Sequence, residues 1–425
     1  MSDTIFALSS GAPPAAIAVV RISGPQAGAA LDAIVGGRPS ARMASLRTLR
    51  DRQGAVLDRA LVLWFPSPDS STGEDLAELH LHGGRAVIAA VEKALGSLEK
   101  LRRATPGEFT RRAFANGRID LAEAEGLADL LEAETELQRL NALALAGGAL
   151  SRQVEDWRGR LLGLSAMIEA ELDFSDEDDV SAIPRDFAAL VRDLAGEIRS
   201  WLDRPRAEAL REGFKVVLAG PPNAGKSSLF NVLIDQDAAI TSEIAGTTRD
   251  VLTRTVAIEG LPFQFFDTAG LRQGTADPIE RVGIERARIA VEAADLILWL
   301  GAEGDGPTGA WEIEPKADLA GREPRHHARH TVSAVTGLGV DGLRRALSDT
   351  ARLALPKPGD LALNQRQSDL LQTAAEALGD VAGQLDPLLA AEDLRLARVA
   401  FDALLGRTTT EHMLDALFVR FCIGK

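Results

Sequence analysis

The nine residues GPPNAGKSS, 220–228, place two glycines, a lysine and two serines at a spacing that can hold a nucleotide's phosphates. Gly220 to Ser227 satisfies G-x-x-x-x-G-K-[ST]. Glycines let the backbone curl, so that successive N–H groups and a helix N-terminus face the phosphates. Lys226 then neutralises the outer oxygens and the Ser227 hydroxyl reaches Mg²⁺. Further on, FQFFDTAG offers Asp267 to the magnesium hydration shell and the Gly270 N–H to a γ-phosphate. Between these motifs, SEIAGTTRD carries Thr247 and Thr248, hydroxyls that can complete magnesium coordination only while the γ-phosphate is bound. Three motifs in this order point to a switch domain that hydrolyses GTP.

Guanine is usually read by Asn-Lys-x-Asp. Here EPKADLAG keeps Lys316 and Asp318 but has Pro315 in place of the Asn, and VSAVTG brings Ser333 and Ala334 for the following base-contact loop. The stretch GAEGDGPTGAWEIE before it is Gly-rich and too short for a full helix and strand. Many such enzymes orient water with Gln directly after Asp-x-x-Gly; that position is Leu271. Glu280, in DPIERVGIERA, is the acidic residue best placed to substitute, or it is a first-turn charge favoured by its helix dipole.

The elements that must carry these groups follow from the pattern. FKVVLAG is an apolar strand ahead of the phosphate loop and KSSLFNVLI a helix after it. Strands and helices then alternate to about Ala354, the mark of a doubly wound sheet. Residues 1–118 mix strand-like runs (AIAVVRIS, ALVLWF, LAELHLH) with turns and short helices, an α+β domain. Residues 119–211 and 355–425 are Leu/Ala/Glu-rich at helical spacing, apart from the acidic run DFSDEDDVSAIP, which reads as a solvated loop. The expected division is therefore an N-terminal domain (1–118), a helical domain in two parts (119–211 and 355–425) and an inserted α/β unit (212–354). Pro184 to about Arg211 reads as one helix.

At 425 residues the chain is long enough for two or three domains. No apolar run approaches a membrane span, no basic leader opens the sequence, and a single cysteine, Cys422, rules out an internal disulfide framework. These point to the cytoplasm. A net charge of −15 argues against non-specific nucleic-acid coating, although Arg102, Arg103, Arg111, Arg112 and Arg118 form a local basic run. Glu78, His80 and His82 would share one strand face, in a ligand pocket or core rather than at a metal; His326, His327 and His330 read as surface loop residues.

Taken together, GPPNAGKSS, SEIAGTTRDVL, DTAGLR, IERVGIERA, ELHLHGG, TPGEFTRRAFANGRIDLAEAEGLADLL and the terminal CIGK closely resemble the tRNA-modification GTPase MnmE (TrmE) family, from near residue 3 to residue 425. The resemblance implies a folate-binding N-terminal domain, a split helical domain and an inserted P-loop GTPase domain. It implies a homodimer that joins the FAD-containing partner MnmG (GidA) in a heterotetramer. Together these place an aminomethyl-type group on carbon five of the tRNA wobble uridine, using a folate one-carbon unit. By the same resemblance GTP is bound by Asn223, Ala224, Gly225, Lys226, Ser227, Ser228, Ser242, Glu243, Ile244, Ala245, Gly246, Thr247, Thr248, Asp267, Thr268, Ala269, Gly270, Lys316, Asp318, Ser333 and Ala334. Mg²⁺ takes Ser227 and Thr248; potassium takes Asn223, Ser242, Ile244 and Thr247; Glu280 orients the water. A tetrahydrofolate derivative falls to Arg21, Glu78, Arg118 (where the family commonly has Lys) and Lys425, and Cys422 stands beside the modification chemistry. The competing class, a non-enzymatic GTP-dependent switch such as a ribosome-assembly factor, should carry a basic RNA-binding domain instead of this acidic chain.

Overall fold

The computed structural model describes residues 3–173, 184, 186–235, 253–267, 292–319, 325–357, 359–384, 386–408, 410–421 and 424. They form two compact units, one of residues 1–128, 146–155 and 401–425, the other of 129–145 and 156–400. The architecture is multidomain, with one α+β and one doubly wound α/β sheet.

In the first unit, strands β1 (Thr4–Leu8), β2 (Ile17–Ser23), β3 (Ser45–Arg50), β4 (Val56–Phe65), β5 (Leu76–His82) and β6 (Leu101–Arg103) form a sheet in the order β3-β4-β5-β2-β1-β6. All pairs are antiparallel except β1 with β6. Alternation decides the faces. Ala18, Val20 and Ile22 of β2, Ala60, Val62 and Trp64 of β4 and Ala77, Leu79 and Leu81 of β5 are buried in one core with helices α1 (Ala27–Val35) and α2 (Arg85–Gly96). The intervening residues, including Arg21, Glu78, His80 and His82, therefore lie on the opposite face. Helix α3 (Glu108–Ala115) packs Phe109 with Ile5, Ala7 and Ala104. The C-terminal helix Glu411–Phe418 buries Leu414 and Phe418 against Leu121, Ala124 and Ala128.

In the second unit, β7 (Phe214–Ala219), β8 (Thr253–Ile258), β9 (Leu261–Asp267), β10 (Leu296–Trp299), β11 (Trp311–Glu314) and β12 (His330–Thr331) are ordered β12-β11-β10-β7-β9-β8, parallel but for the β8–β9 hairpin. Apolar side chains from β7, β9, helix α9 (Lys226–Asp235) and the helix Val340–Ala354 make its core. No helix intervenes between β10 and β11. Residues 300–310 cross as a loop, in keeping with the shortness of GAEGDGPTGA.

The stretch 119–211, with its helical spacing, is interrupted at further places. After α4 (Leu121–Glu132) the chain restarts as α5 (Glu136–Ala146), because Thr135 Oγ1 accepts from the Gln138 N–H at 3.3 Å while Gln138 Oε1 accepts from the Thr135 N–H at 2.9 Å, a capping box in TELQ. The helix expected over 184–211 is two, α7 (Phe187–Leu202) and α8 (Ala207–Glu212), parted at Pro205, which can neither donate to a preceding turn nor follow a helical residue without clash. Trp157 of α6 (Ala149–Asp173) is fully buried edge-on to Trp201 of α7, ring centroids 5.4 Å apart.

Candidate functional site

The phosphate loop leaves the C-terminal end of β7 and enters α9, as the sequence motif requires. Asp267 ends β9 in register with Leu218 of β7, so both motifs open on the same edge of the parallel strands, where ligands of such sheets bind. Asn223 turns the loop with φ 61°, outside the usual range for a residue with a side chain. Lys226 is 5% exposed, and its ammonium donates to the carbonyls of Gly220 at 2.8 Å and Pro221 at 2.9 Å. A buried cation is thus held among the peptide groups of its own loop, poised over the place where phosphate charge would be received. Ser227 and Ser228 are exposed in the first turn of α9, and Ala224 and Gly225 are half-buried before it.

The segment 315–318, expected to read the base, takes up a defined loop. Lys316 follows β11 with φ 59°, and its ammonium donates to the Asn223 carbonyl at 2.7 Å. Its stem runs beside Gly225: a Cβ there would lie 3.7 Å from Lys316 Cε. Ser333, fully buried after β12, donates its hydroxyl to Asp318 Oδ1 at 2.5 Å and accepts from the N–H groups of Val335 and Thr336. Lys316, Asp318, Ser333 and half-buried Ala334 are brought together beside the phosphate loop although Pro315 cannot supply an amide.

On the open face of the first sheet, Arg21 and Glu78 stand opposite each other in neighbouring strands, with Arg21 Nε and Nη2 at 3.1 and 2.9 Å from Glu78 Oε1. Burial would push the Glu78 carboxyl up, but the Arg21 guanidinium, with help from His80, holds it below the usual carboxylate range. The Arg21 guanidinium lies 5.9 Å from the centre of the Phe109 ring. Ala7 of β1 pairs with Arg21 on its other side, giving a row Ala7–Arg21–Glu78 across three strands. Gly424 reaches the end of this row: a Cβ on it would be 2.1 Å from the Leu8 carbonyl oxygen. Arg118 packs its stem near Gly73, while Glu78 takes its ion pair from Arg21.

The face Glu78–His80–His82 resolves into two pairs. His80 Nε2 is 3.2 Å from Glu78 Oε2, and His82 Nδ1 is 2.7 Å from Asp58 Oδ1. Among the described residues no group of His, Cys, Asp and Glu has a metal-holding arrangement. His326 and His327 are exposed; His330 lies in β12 against Trp311, ring centroids 5.7 Å apart. The arginine run is largely neutralised: Arg102 binds Asp3 and Glu108, Arg103 binds Glu92, Arg111 binds Glu411 and Asp415, and Arg112, fully buried, binds Asp3, Glu74 and Glu108. It is a structural network, not an open basic surface. Phe109, the Asn223 carbonyl and Asp58 belong to these sites but had no local signal, since each meets its partner only through tertiary packing.

Two protein families match along the chain, "MnmE helical domain" over residues 121–422 and "GTP-binding protein TrmE N-terminus" over residues 4–118. The "tRNA modification GTPase MnmE" of Novosphingobium aromaticivorans is 63% identical over 437 residues, covering 100% of both chains. The chain belongs to the tRNA modification GTPase MnmE family. Relatives of the same name from Erythrobacter litoralis, 61% identical over 423 residues with both chains fully covered, and Rhizorhabdus wittichii, 58% over 429 residues covering 100% of this chain and 97% of that one, agree. Membership in this family, with the phosphate loop in place, makes the chain a GTP hydrolase. Glu280, Ser242, Glu243, Ile244, Ala245, Gly246, Thr247, Thr248, Thr268, Ala269, Gly270, Cys422, Lys425 and the Asp267 side chain lie outside the described residues.

Proposed function

We propose that this chain is the potassium-stimulated GTPase of tRNA wobble-uridine modification, acting as a homodimer in the cytoplasm with the FAD-containing MnmG (GidA). In this reading the GTPase unit spans 212–354, inserted between helical segments 119–211 and 355–425, after a folate-binding domain over 1–118. Lys226 and the loop N–H groups hold the GTP phosphates, Ser227 and Thr248 hold Mg²⁺, and Lys316, Asp318 and Ser333 hold the base. Asn223, with the Ser242 and Ile244 carbonyls and Thr247, holds potassium, whose charge relieves the transition state, while Glu280 orients the water. The exposure of Asn223 and Ser227 at the mouth of the loop fits both ions.

The observation that carries the GTPase part is the union of Lys226, Asn223 and Lys316 in one loop pair. For the modification part, the Arg21–Glu78 row supports a folate derivative: a paired guanidinium and carboxylate suit a flat heterocycle bearing both donors and acceptors, and Arg118 and Lys425 complete the set. Cys422, two residues from Gly424, would stand near the one-carbon unit as nucleophile or acid/base. Ile17, Leu46 and Leu61, 60, 54 and 38% exposed on that open face, support a second copy packing there. The deciding experiment is mass spectrometry of wobble uridines in tRNA from cells lacking the gene, beside hydrolysis rates in potassium and in sodium. Unchanged nucleosides remove the modification reading; equal rates remove the ion.

A further inference from the structure

One cluster has no part in the sites above: the ion pairs between α3 and the C-terminal helix. Arg111 donates from Nη1 to Asp415 Oδ1 at 2.8 Å and from Nη2 to Glu411. The two carboxylates are four residues apart, so they share one face of the helix and one guanidinium grips both. The grip has a fixed base, since the next residue, Arg112, is wholly buried and tied to Asp3, Glu74 and Glu108.

Apolar packing fixes one face of this helix, where Leu414 and Phe418 meet Leu121, Ala124 and Ala128. Toward α3 that packing is incomplete: beside Arg111 lies an open pocket of about 420 Å³, lined by Pro106, Phe418 and Val419 among others. The end of the helix also touches Gly107, φ 68°, where a Cβ would come 2.1 Å from the Phe418 carbonyl oxygen, and Phe114, whose ring centre is 6.2 Å from that of Phe418. Three residues past Phe418, Phe421 is buried; three further on, Gly424 meets Leu8, the neighbour of Ala7 in the row with Arg21 and Glu78. A small rotation of the helix about its Gly107 contact would carry Gly424 off that row.

We propose that Arg111 is a positioning residue for the modification reaction: by holding Glu411 and Asp415 it sets the direction of the C-terminal helix, and so seats Gly424 against Leu8 of β1, at the end of the row of Ala7, Arg21 and Glu78. This rests on the part given to the tail in the proposed function. Because exposed ion pairs add little to global stability, Arg111→Gln is expected to fold normally.

The test uses the full-length chain with its tRNA-modifying partner and three variants: Arg111→Gln, the reversal Arg111→Glu with Glu411→Arg and Asp415→Arg, and a chain lacking residues 422–425. Readouts are amide exchange over residues 419–425, tRNA modification and GTP hydrolysis. For Arg111→Gln we expect tail exchange to rise and modification to fall by roughly 2- to 5-fold, the factor for an exposed ion pair worth up to about 1 kcal/mol. GTP hydrolysis should be unchanged, and the reversal should restore both effects. Unchanged exchange and modification in Arg111→Gln, or a freed tail with normal modification, overturns the proposal. If the truncated chain also modifies tRNA normally, the tail reading falls with it; if truncation abolishes modification, only the Arg111 proposal has failed.

Discussion

The ammonium of Lys316 donates to the main-chain carbonyl of Asn223 across 2.7 Å, joining the loop after β11 to the phosphate loop after β7. With Pro at 315, this contact and the Ser333–Asp318 bond help hold together the residues proposed to receive the base. Lys316→Met keeps the stem and removes the donor. It should weaken GTP binding by about 10-fold, the value of about one charge-assisted hydrogen bond, with a smaller effect on the hydrolysis rate at saturation. Titration with a fluorescent GTP analogue measures it; unchanged affinity would show that the bond is incidental.

Gly424 has φ 96°, and an added Cβ would strike the Leu8 carbonyl. Gly424→Ala should therefore lift the tail from β1, through roughly 1–2 kcal/mol of left-handed strain plus the clash. Thermal unfolding should change little, because Gly424 belongs to none of the apolar clusters of that unit. Modification of tRNA should drop while GTP hydrolysis stays normal, a split that separate assays on one preparation can resolve.

Acid should act on the N-terminal unit through Glu108. Burial would raise its carboxyl, but hydrogen bonds from Arg102, the Thr105 N–H and Arg112 hold it at about 2, against an ordinary 4.5. A carboxyl depressed by folding stabilises the folded chain fully above its unfolded value. That contribution is lost as pH falls from about 4.5 through about 2. Asp3, low for similar reasons, adds to the same slope. Urea unfolding at pH 7, 4 and 3 should show the loss, and Glu108→Gln should flatten the slope while lowering stability at pH 7, since Arg112 would keep its burial and lose a partner.

Asn364 begins the helix Gln365–Val381 with a full capping box, its side chain accepting from the Gln367 N–H at 2.9 Å. Asn364→Ala should cost about 1 kcal/mol, read as a lower unfolding midpoint with unaltered GTP affinity.

What could be read from sequence was what is local. The phosphate loop is a strand, a turn and a helix in one run of residues, and the alternation in LAELHLH puts Glu78, His80 and His82 on one strand face without any knowledge of the pairing. The TELQ box and Pro205 were equally local but lay inside strong helical periodicity, which masked them. The arginine run is hard to read locally for a different reason. Its partners Asp3, Glu411 and Asp415 lie about a hundred or three hundred positions away, so only the fold reveals that its charge is spent internally. Likewise nothing near His82 announces Asp58, and nothing near Lys316 announces Asn223.

The helix-free crossing after β10 gives the enzyme a built-in optical probe. Trp299 ends that strand opposite Ala219, the last residue before the phosphate loop, and donates its indole N–H to the Ala302 carbonyl at 2.9 Å. The loop folds over the ring so closely that a Cβ at Gly301 would fall 2.3 Å from it, while Gly301 itself backs onto Gly220. A shift of the phosphate loop is thereby passed to an indole's surroundings. With the other tryptophans replaced by Phe, the emission of Trp299 should follow nucleotide exchange and hydrolysis in real time, in the unlabelled chain and in complex with its partners.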